Sequence, residues 1–204
     1  MGVRGRVQDK SADHQTPARR IRADAQRNEE AIVEAAKEIF MALGVDAPVR
    51  DVAARAGVGI GTLYRRFPNR ADLVAAVFRR EVDLCAAEAA RLGAQHPPGE
   101  ALAHWLRRYS TFLATKKGLA AALHSGDPAF GALPDYFRSS FEPALARLMQ
   151  AAIDSGEITA SVEPYDLLRA IGNLATASGE GSREHLDRML DLIMNGLRYG
   201  APAS

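Results

Sequence analysis

Apolar residues recur at intervals of three and four along most of the chain, and the first such stripe lies after residue 28. Asn28 can cap the start of a helix, and Gly44 can end it. The positions between them that share one face are Ile32, Ala35, Ala36, Ile39, Phe40 and Leu43. This spacing predicts a first helix with one buried face.

Two short helical segments and one long segment follow. The short ones span Val49 to Ala56 and Ile60 to Phe67, and the long one runs from Asn69 to about Leu92. Asn69 can cap the long helix with its side chain. Asp72 lies in the first turn of this helix and stabilises it, because a carboxylate complements the positive end of the helix dipole.

The helical period continues to the end of the chain. After HPPG at 96–99, a broad apolar stripe is formed by Leu102, Trp105, Leu106, Tyr109, Phe112 and Leu113. The remaining predicted segments are a short helix and loop over 118–134, a helix over 137–153 that Pro143 can kink or start, and helices over 164–177 and 183–199 joined by SGEGS. Because the sequence has no strand-like alternation, the predicted fold class is all-α.

The N-terminal segment differs from the rest. Residues 1–27 are rich in Arg, Asp, Gln and Ala and contain almost no large apolar side chains. Burial there cannot offset the entropy of ordering the chain, so we expect a flexible basic arm. The expected divisions are this arm at 1–27, a three-helix head at 28–75 and a larger helical domain at 76–204.

The segment from Asp51 to Phe67, DVAARAGVGIGTLYRRF, has the residue types that a helix-turn-helix requires. Ala53 is small enough to let the second short helix come close. Gly57 lies where the first short helix must end and reverse, a position that favours positive φ. Val58 is expected to fill the space beneath the turn.

The second helix of this motif has two distinct faces. Leu63 and Phe67, four residues apart, face inward, whereas the other side carries Thr62, Arg65 and Arg66, with Tyr64 on the flank. Arginine can donate twice to guanine in the major groove, and threonine or tyrosine can meet phosphates or thymine methyl groups. The face therefore indicates DNA binding, the alternative being a helical hairpin whose arginines are merely solvated.

The net charge of +1 conceals an uneven distribution along the chain. Residues 1–82 contain 15 Lys and Arg against 11 Asp and Glu, whereas residues 83–204 contain 11 against 14. The N-terminal part is therefore basic and the rest of the chain is acidic. This distribution favours a polyanionic partner for the N-terminal part alone.

Cysteine usage and hydropathy favour a cytoplasmic protein. The single cysteine, Cys85, cannot form an internal disulfide. The N-terminus lacks the apolar core of a signal peptide, and no segment is apolar for long enough to span a bilayer. We therefore expect no membrane association.

Two stretches, RNEEAIVEAAKEIFMALG and VRDVAARAGVGIGTLYRRFPNRADLV, resemble the DNA-binding domain of the tetracycline-repressor (TetR) family of transcriptional regulators. The resemblance covers about 50 residues, including the helix that leads out of the domain. It implies a three-helix DNA-binding head, joined by a fourth helix to a divergent helical domain that dimerises and usually holds an effector pocket.

The resemblance also implies roles for individual residues. Arg50 would reach a base or phosphate, Arg70 would bind phosphate beside the start of the fourth helix, and Gly61, Thr62, Tyr64 and Arg65 would lie on the operator. Ile60 is ambiguous, because the family often has a contacting residue there while its spacing to Leu63 and Phe67 fits the core. In the arm, Arg27 is the best candidate for phosphate or minor-groove contact, the alternative being a solvated tail.

Two positions depart from the family pattern. Pro48 and Gly59 stand at helix starts where the family commonly has Ser or Thr. Neither residue can supply a side-chain cap, and each removes a hydroxyl that would otherwise be available to a phosphate.

Aromatic residues and His124 concentrate in the central third of the chain. By the family's layout, the effector pocket would be lined by Trp105, Tyr109, Phe112, His124, Phe137 and Phe141. The alternative is an ordinary core, which suits Trp105 and Phe112 because they continue the apolar stripe. Tyr109 and His124 carry polar groups and are the better pocket candidates. Such a pocket would suit an apolar or aromatic effector.

The last two predicted helices carry stripes of small and apolar residues. Repeated by symmetry, 164–177 and 183–199 would form a four-helix dimer interface, although they can instead pack within one subunit. A dimer would recognise a near-palindromic operator on double-stranded DNA.

The spacings of the histidines and of Cys85 argue against an enzyme. The expectation is no metal site from His96, His104, His124 and His185, no activated thiol and no cofactor. The predicted function is a repressor released from DNA by a small effector. The alternatives are an activator and a helical ligand-binding or interaction protein that does not bind an operator.

Overall fold

The computed structural model describes residues 17–116, 127–159, 162–176 and 182–199. These residues form eight α-helices and one 3₁₀ turn at Pro128–Phe130. The helices are α1 (Pro17–Leu43), α2 (Val49–Arg55), α3 (Ile60–Arg66), α4 (Arg70–Gln95), α5 (Pro98–Lys116), α6 (Leu133–Asp154), α7 (Pro164–Thr176) and α8 (Ser182–Tyr199). Within this part of the chain no strand is present, and the all-α prediction is confirmed.

The first helix begins at Pro17, and the expected start at Asn28 is wrong. Proline suits the first position of a helix because its missing N–H has no partner there. Residues 17–27 therefore extend α1 rather than forming a flexible segment. Two local pairs support the helix near this segment, since Arg27 pairs with Asp24 and Gln26 donates to Glu30 at 3.2 Å.

The four N-terminal helices share one small core. Ile32, Phe40, Val52, Leu63 and Leu73 are each at most 3 % exposed. Since α1, α2, α3 and α4 each contribute at least one of these side chains, the head is held together mainly by apolar burial.

Helix α4 extends from the head into the larger body of α5 to α8. It packs on α5 and α6. The indole Nε1 of Trp105 in α5 donates to the Cys85 carbonyl oxygen at 2.9 Å. Lys37 of α1 lies 2.8 Å from a carboxylate oxygen of Glu81, and Tyr136 of α6 donates to Asp83 at 2.5 Å. Helix α4 thus contacts both the head and the body.

The C-terminal helices complete the body. Leu168 and Ile171 of α7 and Leu190 of α8 are buried against the rest of the chain. Thr159 ties the segment before α7 to the end of α8, because its N–H donates to the Leu197 carbonyl oxygen at 2.9 Å. No helix in the described ranges is long and apolar enough to cross a membrane.

Candidate nucleic-acid interface

The turn between α2 and α3 has the geometry expected of a helix-turn-helix. Gly57 has a φ of +68°, a conformation in which a Cβ is unfavourable. Its N–H donates to the Ala54 carbonyl oxygen at 3.2 Å, and the Val58 N–H donates to that of Ala53 at 3.0 Å. The chain therefore reverses within a few residues, which brings α3 against α2.

Helix α3 is anchored by its inner face. Leu63 is 1 % exposed and Phe67 is 5 % exposed, and both join the core with Ala53. On the opposite side, Tyr64 is 49 % exposed and Ile60 is 45 % exposed. Of the two roles open to Ile60, the structure places it on the outer surface, so the core role is excluded.

Arg65 lies along the outer surface of α3 in the absence of DNA. Its Nη2 donates to the Thr62 Oγ1 at 3.1 Å, and its Nε donates to the Gly61 carbonyl oxygen at 3.2 Å. Three of the predicted contact residues thus lie together on the exposed face. Both bonds lie on the exposed surface of α3, where water competes with them and they contribute little to stability.

Two other arginines of the motif are paired with α1. Arg66, which the sequence placed on the outer face, forms an ion pair with Glu29. Arg55 donates to Glu38 at 2.6 Å, and this hydrogen bond lowers the pKa of the Glu38 carboxyl. These pairs connect α2 and α3 to α1, so the two arginines help to orient the motif.

The helix starts at Pro48 and Gly59 lack side-chain caps, as the sequence predicted. Arg50 follows Pro48 in the first turn of α2. Its side chain is 82 % exposed, and its Nε lies 3.6 Å from an oxygen of Asp51. Arg50 is therefore accessible beside the start of α2.

Arg70 makes contacts that the sequence did not predict. Its Nη1 donates to the Val45 carbonyl oxygen at 2.5 Å and to that of Ala47 at 2.7 Å. The neighbouring Asn69 caps α4 as predicted, with its Oδ1 accepting from the Asp72 N–H at 2.8 Å. Arg70 therefore fixes the loop between α1 and α2, while its remaining N–H groups provide further donors.

Arg27 lies within α1 rather than in an unstructured arm. Its side chain is exposed and forms an ion pair with Asp24, one turn earlier. Such exposed pairs are worth little, so the guanidinium can change partners readily. The arm residues 1–16 lie outside the described residues.

The predicted pocket residues form a packed aromatic cluster. Trp105 and Tyr109 stack at 5.6 Å between ring centroids, and Phe137 and Phe141 meet edge to face at 4.7 Å. Trp105, Tyr109 and Phe141 are at most 1 % exposed, and Phe112 is equally part of the core. Among the described residues, these rings therefore fill the space between α5 and α6.

Two of the pocket candidates carry polar groups. The Tyr109 hydroxyl donates to the Leu168 carbonyl oxygen at 3.3 Å, and burial raises the pKa of this phenol well above its usual range. Tyr109 is thus a neutral donor inside the cluster at physiological pH. His124 lies outside the described residues.

A cleft of about 740 Å³ opens elsewhere, at the junction of head and body. It lies between α1 and α4, with Arg66 of α3 and Tyr136 of α6 at its edges. Charged side chains line much of it, including those of Glu29, Arg79 and Asp83. This polar cleft contains none of the predicted pocket residues.

The structure brings together three side chains that the sequence analysis did not group as metal ligands. The ligand atoms of His96, Glu100 and His104 lie within 4.8 Å of one another. His96 is the C-cap residue that follows α4, and the other two residues lie one turn apart on α5. The regular interval of four residues, H-x₃-E-x₃-H, was the sequence signal for this cluster.

Much of the stripe on the last two helices packs within the chain. Leu186, Leu190 and Leu197 are at most 7 % exposed. On the outer side of α8, Leu192 is 64 % exposed, and Ala170 of α7 is also exposed. Each helix thus has one face in the body and one face toward solvent.

Comparison with known families gives two matches that together cover most of the chain. Residues 32–77 match the model of bacterial regulatory proteins of the tetR family. Residues 97–199 match the C-terminal domain of SbtR-like transcriptional regulators. The first match ends within α4 at residue 77 and the second begins just after α4 at residue 97, so they correspond to the head and the body.

Individual proteins give a consistent picture. An HTH-type transcriptional regulator of Staphylococcus aureus is 37 % identical over 65 residues, which is 31 % of this chain and 35 % of that protein. The crystal structure of a TetR transcriptional regulator of Streptomyces coelicolor is 38 % identical, with a TM-score of 0.70 over 85 % of this chain and 99 % of that one. The fold is also similar to that of LfrR of Mycobacterium smegmatis in complex with proflavine, which is 24 % identical with a TM-score of 0.60 over 89 % and 99 % of the two chains.

Proposed function

The chain belongs to the TetR family of DNA-binding transcriptional regulators, and we propose that it is a dimeric repressor that a small effector releases from a near-palindromic operator. The observation that carries this proposal is the geometry of α3. Its inner face is fixed by Leu63 and Phe67, and its outer face exposes Tyr64 and Arg65. A short anchored helix with exposed donors suits the major groove.

The contact residues divide into two groups. Side chains of α3 read bases or thymine methyl groups, namely those of Ile60, Thr62, Tyr64 and Arg65. Arg50, Arg70 and Arg27 contact phosphates around them. Gly61 acts by its size, since a Cβ there meets no protein atom within 4 Å and the free space admits the DNA backbone. The first group sets sequence preference, and the second sets affinity and its salt dependence.

Two recognition helices are needed to read a palindrome. We assign the dimer contact to the solvent faces of α7 and α8, where Leu192 and Ala170 are exposed. An isologous contact between these helices and their copies forms a four-helix interface. The two copies of α3 then face half-sites about one helical turn apart, or somewhat more.

To test DNA binding, genomic DNA fragments that the protein binds are first isolated with it. The affinity of each variant for these fragments is then measured. Arg65→Ala is expected to weaken operator binding by ~1–3 kcal/mol and to relax sequence preference at one position. Arg50→Ala weakens binding to all sequences and reduces the slope of log K against log salt by about one. Arg147→Ala, at an exposed position on α6, is the matched control. Wild-type affinity for both head variants in a mobility-shift assay contradicts the assignment.

The effector is expected to occupy the body at the aromatic cluster. Support comes from the buried Tyr109 hydroxyl and from the similarly folded LfrR, which was crystallised with proflavine. A flat apolar or aromatic molecule would replace contacts between rings such as those of Tyr109 and Phe141. Release from DNA requires that this molecule bind the DNA-free form more tightly.

Tyr109→Phe tests the effector site while keeping the ring packing. A panel of aromatic compounds that includes proflavine is first screened for release of the wild-type protein from its operator. The variant is expected to bind DNA normally and to need a higher concentration of the active compound, because the buried hydroxyl is lost. An unchanged dose response places the effector elsewhere, with the polar cleft beside Tyr136 as the next candidate.

The sign of regulation is measured separately. A reporter fused to the recovered promoter is expected to rise when the gene for this protein is deleted. A fall in expression identifies an activator. Retained effector binding without any recovered DNA identifies a ligand-binding protein that lacks an operator.

A further inference from the structure

We propose that His96, Glu100 and His104 form a binding site for one zinc-class divalent ion at the corner between α4 and α5. Two imidazoles and one carboxylate converge there, with their ligand atoms within 4.8 Å of one another. The two imidazole rings lie next to each other, 4.6 Å apart between centroids and tilted by 49°. Glu100 and His104 are exposed on the surface of α5, whereas Trp105 and Tyr109 of the aromatic cluster are buried.

The backbone around the corner is held in place by bonds that do not involve the three ligands' side chains. The His96 N–H donates to the Leu92 carbonyl oxygen at 3.0 Å, and the Ala101 N–H donates to that of Pro97 at 2.8 Å. Glu157 accepts from the Gly99 N–H at 3.1 Å and thus anchors the first turn of α5. The three ligands therefore project from a fixed scaffold, which lowers the entropy lost on binding.

The donor set selects the class of ion. Zinc binds imidazole nitrogen and carboxylate oxygen at about 2.0–2.2 Å, which places ligand atoms about 3.4 Å apart in a tetrahedron. Rotation of the exposed Glu100 and His104 side chains can close the present separation to this value. Magnesium and calcium are poor candidates, because they require mostly oxygen ligands and the cluster provides one carboxylate.

The surroundings are compatible with a bound cation. Glu100 and His104 also line a groove of about 440 Å³ between α5 and α8, so an ion is accessible from solvent. Two arginines line that groove, Arg107 and Arg198, and the charge of Arg107 is offset by its pair with Asp191 at 2.6 Å. Three protein ligands leave one tetrahedral position for water or another small ligand.

The ion would fasten the end of α4 to the first two turns of α5. Binding to the folded chain alone raises its apparent stability. At a free zinc concentration of 100 times the dissociation constant, we expect Tm to rise by about 5–11 °C. The ion therefore has a structural effect on the helix that also carries the DNA-binding head.

The test uses the full chain without a polyhistidine tag, after treatment with a chelator that is then removed. Calorimetric titration with Zn²⁺ is expected to give one ion per chain. His96→Ala, Glu100→Gln and His104→Ala are each expected to weaken zinc binding at least ~10-fold. Loss of a residue that only hydrogen-bonds to a metal ligand already costs ~10–100-fold in metal affinity. His185→Ala, an exposed histidine on α8, is the matched control and should leave binding unchanged.

Two further measurements distinguish the loss of metal ligands from misfolding of the variants. Circular dichroism is expected to be the same for all four variants, because the three ligand residues are not in the core. Bound Co²⁺ is expected to give a visible absorption band that Zn²⁺ removes and a large excess of Mg²⁺ does not. Binding that is equal in the ligand variants and in His185→Ala, or the absence of Zn²⁺ binding up to ~1 mM, overturns the proposal.

Discussion

Replacing Arg70 by alanine separates a structural role from a DNA-binding role. In the free protein, Nη1 of Arg70 donates to the carbonyl oxygens of Val45 and Ala47, at 2.5 and 2.7 Å. Ala47 is 5 % exposed, so the loop between α1 and α2 lies against the core at this point. The substitution removes both bonds and leaves two carbonyl oxygens without this donor.

The size of the effect follows from the bonds and their surroundings. A hydrogen bond to a charged group contributes ~1.5–3 kcal/mol when the group is shielded from water. Because Arg70 is only half-buried, water can partly replace the lost donors, and we expect a total loss of about 2 kcal/mol. For a chain of this size, that loss lowers Tm by about 4–8 °C.

Urea denaturation followed by circular dichroism measures this loss. Arg70→Ala should move the unfolding midpoint to lower urea with little change in slope, because the exposed surface of the unfolded chain is nearly the same. Arg147→Ala, which lies outside the head, should change the free energy of unfolding by less than ~0.5 kcal/mol. A similarly small change for Arg70→Ala would refute the structural role.

The salt dependence of operator binding completes the experiment. If Arg70 acts only by holding the loop, Arg70→Ala weakens binding while the slope of log K against log salt stays the same. If Arg70 also contacts a phosphate, as proposed above, the slope decreases by about one. The two roles are thus measured separately in one variant.

The turn and the buried thiol give two further predictions. Gly57→Ala should destabilise the protein by ~1–2 kcal/mol because φ is +68° there, whereas Gly61→Ala in α3 should stabilise it by ~0.5–1 kcal/mol; equal shifts in the urea midpoint would contradict this explanation. Burial raises the pKa of the Cys85 thiol to about 12. At pH 8 only about one thiol in ten thousand is ionised. A thiol reagent should therefore react with the denatured chain and hardly with the folded chain. Rapid labelling of the folded protein would contradict the burial of Cys85.

Local regularities in the sequence accounted for the helices and for the motif. The spacing of Ile32, Ala36 and Phe40 predicted the buried face of α1, and Gly57 was expected at positive φ. The two uncapped helix starts were also evident from Pro48 and Gly59. These features depend on neighbours within a few residues, so the order of residue types is enough to infer them.

The helix start at Pro17 shows where local reasoning failed. Residues 17–27 contain only one large apolar side chain, that of Ile21, and the sequence therefore predicted no ordered structure. In the folded chain they continue from the buried part of α1, so the unfavourable nucleation step has already been overcome. Extension then needs only reasonable helix formers and local pairs such as Arg27 with Asp24.

Only the tertiary structure decided which polar groups meet. Arg66 is paired with Glu29, and Arg70 contacts carbonyl oxygens more than twenty residues away, although both residues resembled DNA contacts in the sequence. Ile60 fitted either face by its spacing until the packing of α3 placed it outside. Helical periodicity depends on the chain next to a residue, whereas an ion pair or a buried face depends on which distant segment folds against it.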